Sequence, residues 1–242
     1  MIVDAPGNVL SLDAYNVGTA RTIRSSHRLE PLPAGCSRYD AGGALRHGLT
    51  CPSWTGHVAV DLGDGPDRAS VRSSAGPILV IGGLGDDTIS VAHSRAGRNV
   101  FVFGDRFGAP SWLDGDDTIA AGTDESIPSR ADSVVYANAG DDTVTGSRNA
   151  DELHGGPGRD ALAGGDGADT LSGDDGDDLV QGNRGADTLT GGAGADDLRG
   201  GAGRDVLDAR DGRADAAVDC GKGDGVADAV GADPADPLRH CP

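Results

Sequence analysis

Aromatic side chains are nearly missing from this 242-residue chain: two Trp, three Tyr and three Phe make up 3% of it. Hydrophobic residues of every kind reach only 37%, thin material for a conventional core. Lysine occurs once, at Lys222, and glutamate three times, at Glu30, Glu125 and Glu152. With a formal net charge of −19, nucleic acid and anionic membrane surfaces are excluded as partners on charge alone. No apolar run is long enough to span a bilayer, so membrane insertion is not expected. Residues Met1 to Leu12 lack a basic stretch followed by an apolar one, so no secretory signal is legible there. The catalytic signatures HExxH, GxSxG and the Walker loop are also missing, and the six histidines (His27, His47, His57, His93, His154, His240) are scattered. No catalytic residue is expected, and the chain is read as a non-enzyme.

What is abundant is aspartate and glycine. Of 39 acidic residues 36 are Asp, and Gly accounts for 41 positions. A generic solubilising surface mixes Asp with Glu. Asp alone is the residue of turns and of hard-cation ligation. A chain so rich in one charge repels itself when compact, and a positive counter-ion is the missing component. Four cysteines, Cys36, Cys51, Cys220 and Cys241, point to an oxidising, extracellular location. They allow three connectivities. Local pairing, Cys36 with Cys51 and Cys220 with Cys241, is the expectation because each pair closes a short loop.

Read in nines from Ala137, the sequence gives ANAGDDTVT, GSRNADELH, GGPGRDALA, GGDGADTLS, GDDGDDLVQ, GNRGADTLT, GGAGADDLR and GGAGRDVLD without a gap to Asp208. The sixth position is always Asp: Asp142, Asp151, Asp160, Asp169, Asp178, Asp187, Asp196 and Asp205. The eighth is always aliphatic, from Val144 to Leu207. Positions one, two and four are Gly, Asn or Asp with few exceptions, residues that enter left-handed backbone conformations at low cost. Each unit therefore opens with a tight turn and ends in a three-residue strand with one apolar side chain inward. Such a strand is stable only when stacked in parallel on its neighbours, as in a solenoid. If one unit makes half a coil, Asp142, Asp160, Asp178 and Asp196 line one edge, and Asp151, Asp169, Asp187 and Asp205 the other. Without a cation, each edge is a ladder of like charges at about the 4.8 Å strand spacing.

The pattern is degraded upstream. GGLGDDTIS at 82–90 is a full unit carrying Asp87, and LDGDDTIA at 113–120 places Asp117 and Ile119 in register. RADSVV at 130–135 carries Asp132 and Val134 one residue out of phase. Four regions follow: a small N-terminal β cap with a hairpin over 1–56, irregular β-helical rungs over 57–136, the regular array over 137–208, and a C-terminal cap stapled by disulfide over 209–242. The acid pairs Asp86–Asp87 and Asp116–Asp117 have the composition of a glycosidase dyad, but their repeat register favours metal ligation. Asn149 replaces a turn glycine and Leu179 stands at an outward position. Both depart from the pattern.

The units GGxGxDxUx at 137–208, with the isolated copy at 82–90, resemble the RTX, or haemolysin-type, calcium-binding repeats. The resemblance implies an all-β fold, a right-handed parallel β-roll. Ca²⁺ would lie between stacked turns on the sixth-position Asp (Asp87 and Asp117 included) and on turn carbonyls such as those of Gly155, Gly164, Gly173, Gly191 and Gly200. Eight turns give three stacked pairs per edge, hence about six Ca²⁺ ions. The flanking cysteine-containing segments resemble those of RTX-like proteins exported by actinobacteria. The function expected is an extracellular calcium-binding repeat protein. The alternatives are a surface adhesin with a cell-surface or polysaccharide partner and a polysaccharide-acting β-helix enzyme.

Overall fold

The computed structural model describes residues 6–16, 37–40, 47–54, 58–64, 66–73, 78–93, 100–105, 115–122, 132–221 and 229–241. They form strands only: β1 (Pro6–Asn16), β2 (Ser37–Asp40), β3 (His47–Trp54), β4 (Val58–Asp64), β5 (Asp67–Ser73), β6 (Ile78–Leu84), β7 (Thr88–His93), β8 (Val100–Asp105), β9 (Thr118–Ala121) and β10 (Ser133–Tyr136). The repeat array and its continuation supply β11 (Thr143–Thr145), β12 (Glu152–Pro157), β13 (Ala161–Gly167), β14 (Thr170–Asp175), β15 (Leu179–Gly185), β16 (Thr188–Ala193), β17 (Asp197–Ala202), β18 (Val206–Ala209), β19 (Ala217–Asp219), β20 (Ala229–Ala232) and β21 (Leu238–Arg239). Among the described residues no helix is long and apolar enough to cross a membrane.

From β4 onward the chain alternates between two sheets, so each nine-residue unit is half a coil. One sheet runs β2-β3-β1-β5-β7-β9-β11-β13-β15-β17-β19-β21, the other β20-β18-β16-β14-β12-β10-β8-β6-β4. Pairing is antiparallel among β1, β2, β3 and β5 and parallel from β4·β6 and β5·β7 onward. The N-terminal β cap is thus the antiparallel end of the first sheet. β2 and β3 pair antiparallel; Cys36, expected to pair with Cys51, lies outside the described residues.

Within the array the register is offset by 18 residues, as two units per coil require: Leu162 pairs with Val180 and Leu153 with Leu171. The core is correspondingly narrow. Ile89, Ile119, Val144, Leu162, Val180, Leu198 and Val218 form the buried column of the first sheet. Val80, Val102, Val135, Leu153, Leu171, Leu189 and Leu207 form that of the second. Strand flanks alternate outward around each buried residue, as in Thr170–Leu171–Ser172. Leu179 does stand outward, half-buried. On the outer face of the second sheet the rings of Phe103, Tyr136 and His154 stack in register, with centroids 5.4 and 4.6 Å apart.

Within 132–135 the phase slip is resolved by setting Ser133, not Asp132, opposite the next unit's Asp: Ser133 N donates to Asp151 Oδ1. Val135 then enters the core while Asp132 is exposed. After Asp208 the solenoid continues rather than ending. β19 and β21 extend the first sheet and β20 the second. The disulfide Cys220–Cys241, with Cα atoms 5.1 Å apart, ties the end of β19 to the residue beyond β21.

Candidate metal centres

The turns between strands determine the chemistry. At position two, Asn138, Asp174 and Asn183 adopt φ of 76–79°, and at position four Gly158, Gly167, Gly176, Gly185, Gly194 and Gly203 adopt φ of 143–157°. The second region favours glycine, and the stacking demands it again. At Gly176 a Cβ would collide with the carbonyl of Gly158 in the turn above. Successive turns therefore lie in direct backbone contact, their carbonyls facing the next turn.

The sixth-position aspartates fold into these turns and are buried. Each uses one carboxylate oxygen to join two rungs, accepting from the backbone N–H of the corresponding residue in the preceding rung. On one edge this column runs unbroken from Asp87 through Asp117, Asp142, Asp160, Asp178, Asp196 and Asp215 to Asp236, with N···Oδ1 distances of 2.7–3.0 Å. On the other it runs from Ser133 through Asp151, Asp169 and Asp187 to Asp205 at 2.7–3.0 Å. Above Ser133 the same slot is held by Val100 and Ile78, so the second edge is aliphatic where the first remains acidic. The two edges expected from the sequence are present, and the first is twice as long. Asp215 and Asp236 escaped the sequence reading because the column steps there by 19 and 21 residues rather than 18.

In six of the column aspartates the second carboxylate oxygen is left over. Oδ2 of Asp117, Asp160, Asp169, Asp178, Asp187 and Asp215 is buried and receives no hydrogen bond. These oxygens are not scattered. A Cβ placed on Gly155 would lie 2.8 Å from Gly173 O and closer still to Asp160 Oδ2. The same holds at Gly173 for Gly191 O (2.6 Å) and Asp178 Oδ2, and at Gly182 for Gly200 O (2.7 Å) and Asp187 Oδ2. At Gly146 the pair is Asp151 Oδ2 (2.8 Å) and Gly164 O. Carboxylate and next-rung carbonyl thus converge beside the first-position glycine, which must lack a Cβ to leave room. The carbonyls of Gly164, Gly173, Gly191 and Gly200 lie at these convergence points, and Gly155 lines one. The arrangement recurs upstream, where Asp87 Oδ2 and Gly104 O meet beside Gly82, and Asp117 Oδ2 and Ala137 O beside Gly104.

Burial is the leading cause that raises these carboxyls above their ordinary range, followed by opposing hydrogen bonds and repulsion along the column. Asp117 is pushed up to about 9, Asp160 to about 8, Asp169 to about 7, and Asp178, Asp187 and Asp215 to about 6. Asp151 and Asp196 are raised for the same reason. A buried anion with a vacant lone pair opposite a carbonyl is unfavourable unless it is protonated or meets a cation.

The second turn differs. Ser147 and Asn149, in place of the usual glycines, do not adopt left-handed backbone. Ser147 N donates to Asp151 Oδ2 at 2.5 Å and Asn149 N to Ser147 Oγ at 3.1 Å. Asp86 and Asp116, the outer members of the acid pairs, are exposed. They form a separate row with Asp141, each accepting from the backbone of the next rung at 2.9–3.1 Å.

Among the described residues no three His, Cys, Asp or Glu side chains meet at one point. Any cation held here must take most of its shell from backbone oxygens. That fits a hard ion of high coordination number and not zinc, which takes nitrogen and sulfur. In comparison with known families, the model described as RTX calcium-binding nonapeptide repeat (4 copies) matches residues 136–171 and 172–207. No curated protein and no solved structure matches the chain.

Proposed function

We propose that this RTX-type calcium-binding repeat protein takes up Ca²⁺ between successive turns on both edges of the solenoid, and that the ions drive its folding outside the cell. The observation carrying this reading is the buried Oδ2 without a donor at Asp117, Asp160, Asp178 and Asp187, each beside the first-position carbonyl of the next rung. The ligands are Asp142, Asp151, Asp160, Asp169, Asp178, Asp187, Asp196 and Asp205 with turn carbonyls, among them those of Gly164, Gly173, Gly191 and Gly200. Three stacked pairs per edge hold about six ions. Asp87 and Asp117 extend the first edge upward. A divalent ion between two rungs supplies the counter-charge the column lacks and turns rung-to-rung repulsion into a bridge.

The role is structural rather than catalytic: each sixth-position aspartate of the array is committed to a backbone N–H of the preceding rung. The disulfide Cys220–Cys241 favours an oxidising, extracellular location. Circular dichroism during a Ca²⁺ titration tests the reading. The β signal is expected to rise cooperatively in Ca²⁺ and to collapse in chelator, because the binding free energy is then folding free energy. A spectrum identical in excess chelator and in millimolar Ca²⁺ would overturn it.

A further inference from the structure

The nine-residue pattern stops at Asp208, yet the acidic column continues through two irregular turns, 211–215 and 233–236. Four carboxylates knit them together. Asp211 Oδ2 accepts from Gly194 N above at 3.0 Å, and Asp215 Oδ1 from Asp196 N at 3.0 Å. Below, Asp233 Oδ2 accepts from Asp211 N and Gly212 N at 3.1 and 2.6 Å, and Asp236 Oδ1 from Asp215 N at 3.0 Å. Asp236 Oδ2 accepts from Asp233 N. One acceptor is left over. Asp215 is 6% exposed, and its Oδ2 is buried between these turns without a hydrogen bond.

The lower turn lies on the chain between Cys220 and Cys241. Asp233 and Asp236 are both inside the loop that the disulfide closes. The same loop docks β21 on β19, with Val218 N donating to Pro237 O at 3.2 Å and Cys220 N to Arg239 O at 3.0 Å. Whatever holds the loop down holds Asp236 against Asp215.

We propose that Asp215 anchors a separate divalent-cation site between turns 211–215 and 233–236, outside the repeats, and that the Cys220–Cys241 disulfide and this site stabilise each other. The inference rests on the calcium reading of the array but concerns residues that no repeat unit contains. Opening the disulfide frees the loop and removes the lower half of the site. By linkage, a cation in the site opposes opening of the disulfide by the same factor.

The test uses the full oxidised chain and a dithiol. Reduction transfers two electrons and two protons to Cys220 and Cys241 as the dithiol closes to its cyclic disulfide. The new thiols are trapped by alkylation and assigned by peptide mapping, while circular dichroism follows the array separately. Millimolar Ca²⁺ is expected to lower the equilibrium extent of reduction of this pair about tenfold or more. Asp215→Asn is expected to bring that protection to within about twofold of the chelator value, while Asp132→Asn, at an exposed acid outside the ligand set, keeps it. Should Asp215→Asn weaken the Ca²⁺-induced β signal itself, Asp236→Asn, on the more exposed partner, carries the same expectation. No protection in the native chain, equal protection in the native chain and the Asp215→Asn and Asp236→Asn variants, or loss alike in Asp132→Asn would overturn the proposal while leaving the array reading intact. A missing β response to Ca²⁺ would instead strike the array reading.

Discussion

Replacing Asp178 by Asn should stabilise the metal-free fold and destabilise the calcium-loaded one. Asp178 is 2% exposed. Its Oδ1 accepts from Asp160 N at 2.8 Å, its N–H donates to Asp196 Oδ1 at 2.9 Å, and its Oδ2 has no donor. Burial, reinforced by Asp196, Asp174 and Asp177 and opposed by the Asp160 N–H, raises its carboxyl from 3.8 to about 6. At pH 7 the group is ionised in both folded and unfolded chains, so the shift appears as a folding penalty of about 3 kcal/mol. Asparagine keeps the Oδ1 acceptor, removes the charge and sets an N–H₂ beside Gly191 O. In chelator the variant should gain stability of up to about 3 kcal/mol. In Ca²⁺ it should lose, because a charged ligand would disappear from the two proposed sites that join Asp178 to Asp160 and to Asp196. Urea unfolding followed by circular dichroism, in chelator and in millimolar Ca²⁺, reads both signs. A variant weaker than the native chain in both media would show that Asp178 acts only through its hydrogen bonds. One that responds to Ca²⁺ as the native chain does would remove Asp178 from the ligand set.

Three further outcomes are expected. The raised carboxyls of Asp117, Asp160, Asp169, Asp178, Asp187 and Asp215 contribute stability that is present below about pH 4 and lost as pH rises towards about 9. In chelator, the β content should therefore grow on acidification, and a monotonic loss would contradict the burial of these groups. Asp169→Asn should resemble Asp178→Asn in chelator. Asp151→Asn should destabilise instead, because both Asp151 oxygens already accept, from Ser133 N and Ser147 N, and an amide has one acceptor; equal signs in urea melts would contradict that assignment. Gly176→Ala, at φ 147° and against Gly158 O, should cost about 2–4 kcal/mol, whereas Gly212→Ala, at φ 87° with nothing nearby, should cost about 1 kcal/mol. Equal costs in thermal melts would mean that backbone stacking does not constrain position four.

Nearly all of the regular solenoid was legible because every local choice repeats at one period. The invariant Asp and aliphatic positions gave the two sheets, the two edges and the inward columns. The glycine, Asn and Asp preferences gave the left-handed sites at Asn138, Asp174 and Asn183. Legibility failed where insertions broke the period without breaking the stack. Asp215 and Asp236 hold column positions through longer turns, and Ser133 takes an aspartate slot by a one-residue slip. In those places the strand register and the side-chain-to-backbone bond select the residue, and both are tertiary properties that a fixed spacing does not encode. The exceptional second turn was flagged by Asn149. Its consequence, a hydrogen-bonded Asp151, came from Ser147, whose hydroxyl and N–H are informative only once the turn is folded.

The unequal edges indicate what the aspartate column does for this fold. On the second edge, the slot above Ser133 passes to Val100 and Ile78, and the rungs there remain stacked on aliphatic contacts. Aspartate is thus not needed to keep the sheets in register. On the first edge it persists through every turn from Asp87 to Asp236, across the two irregular turns as well. A buried carboxylate that served only the stack would be dispensable, as in the slots of Ser133, Val100 and Ile78, where no charge is buried. Retaining the charge along the whole edge, with the second oxygen of Asp87, Asp117, Asp160 and Asp178 beside the carbonyl of the next rung, makes sense as a ligand row whose stabilising partner is supplied from solution. On the proposed reading, the fold would be only as strong as the cation concentration around it.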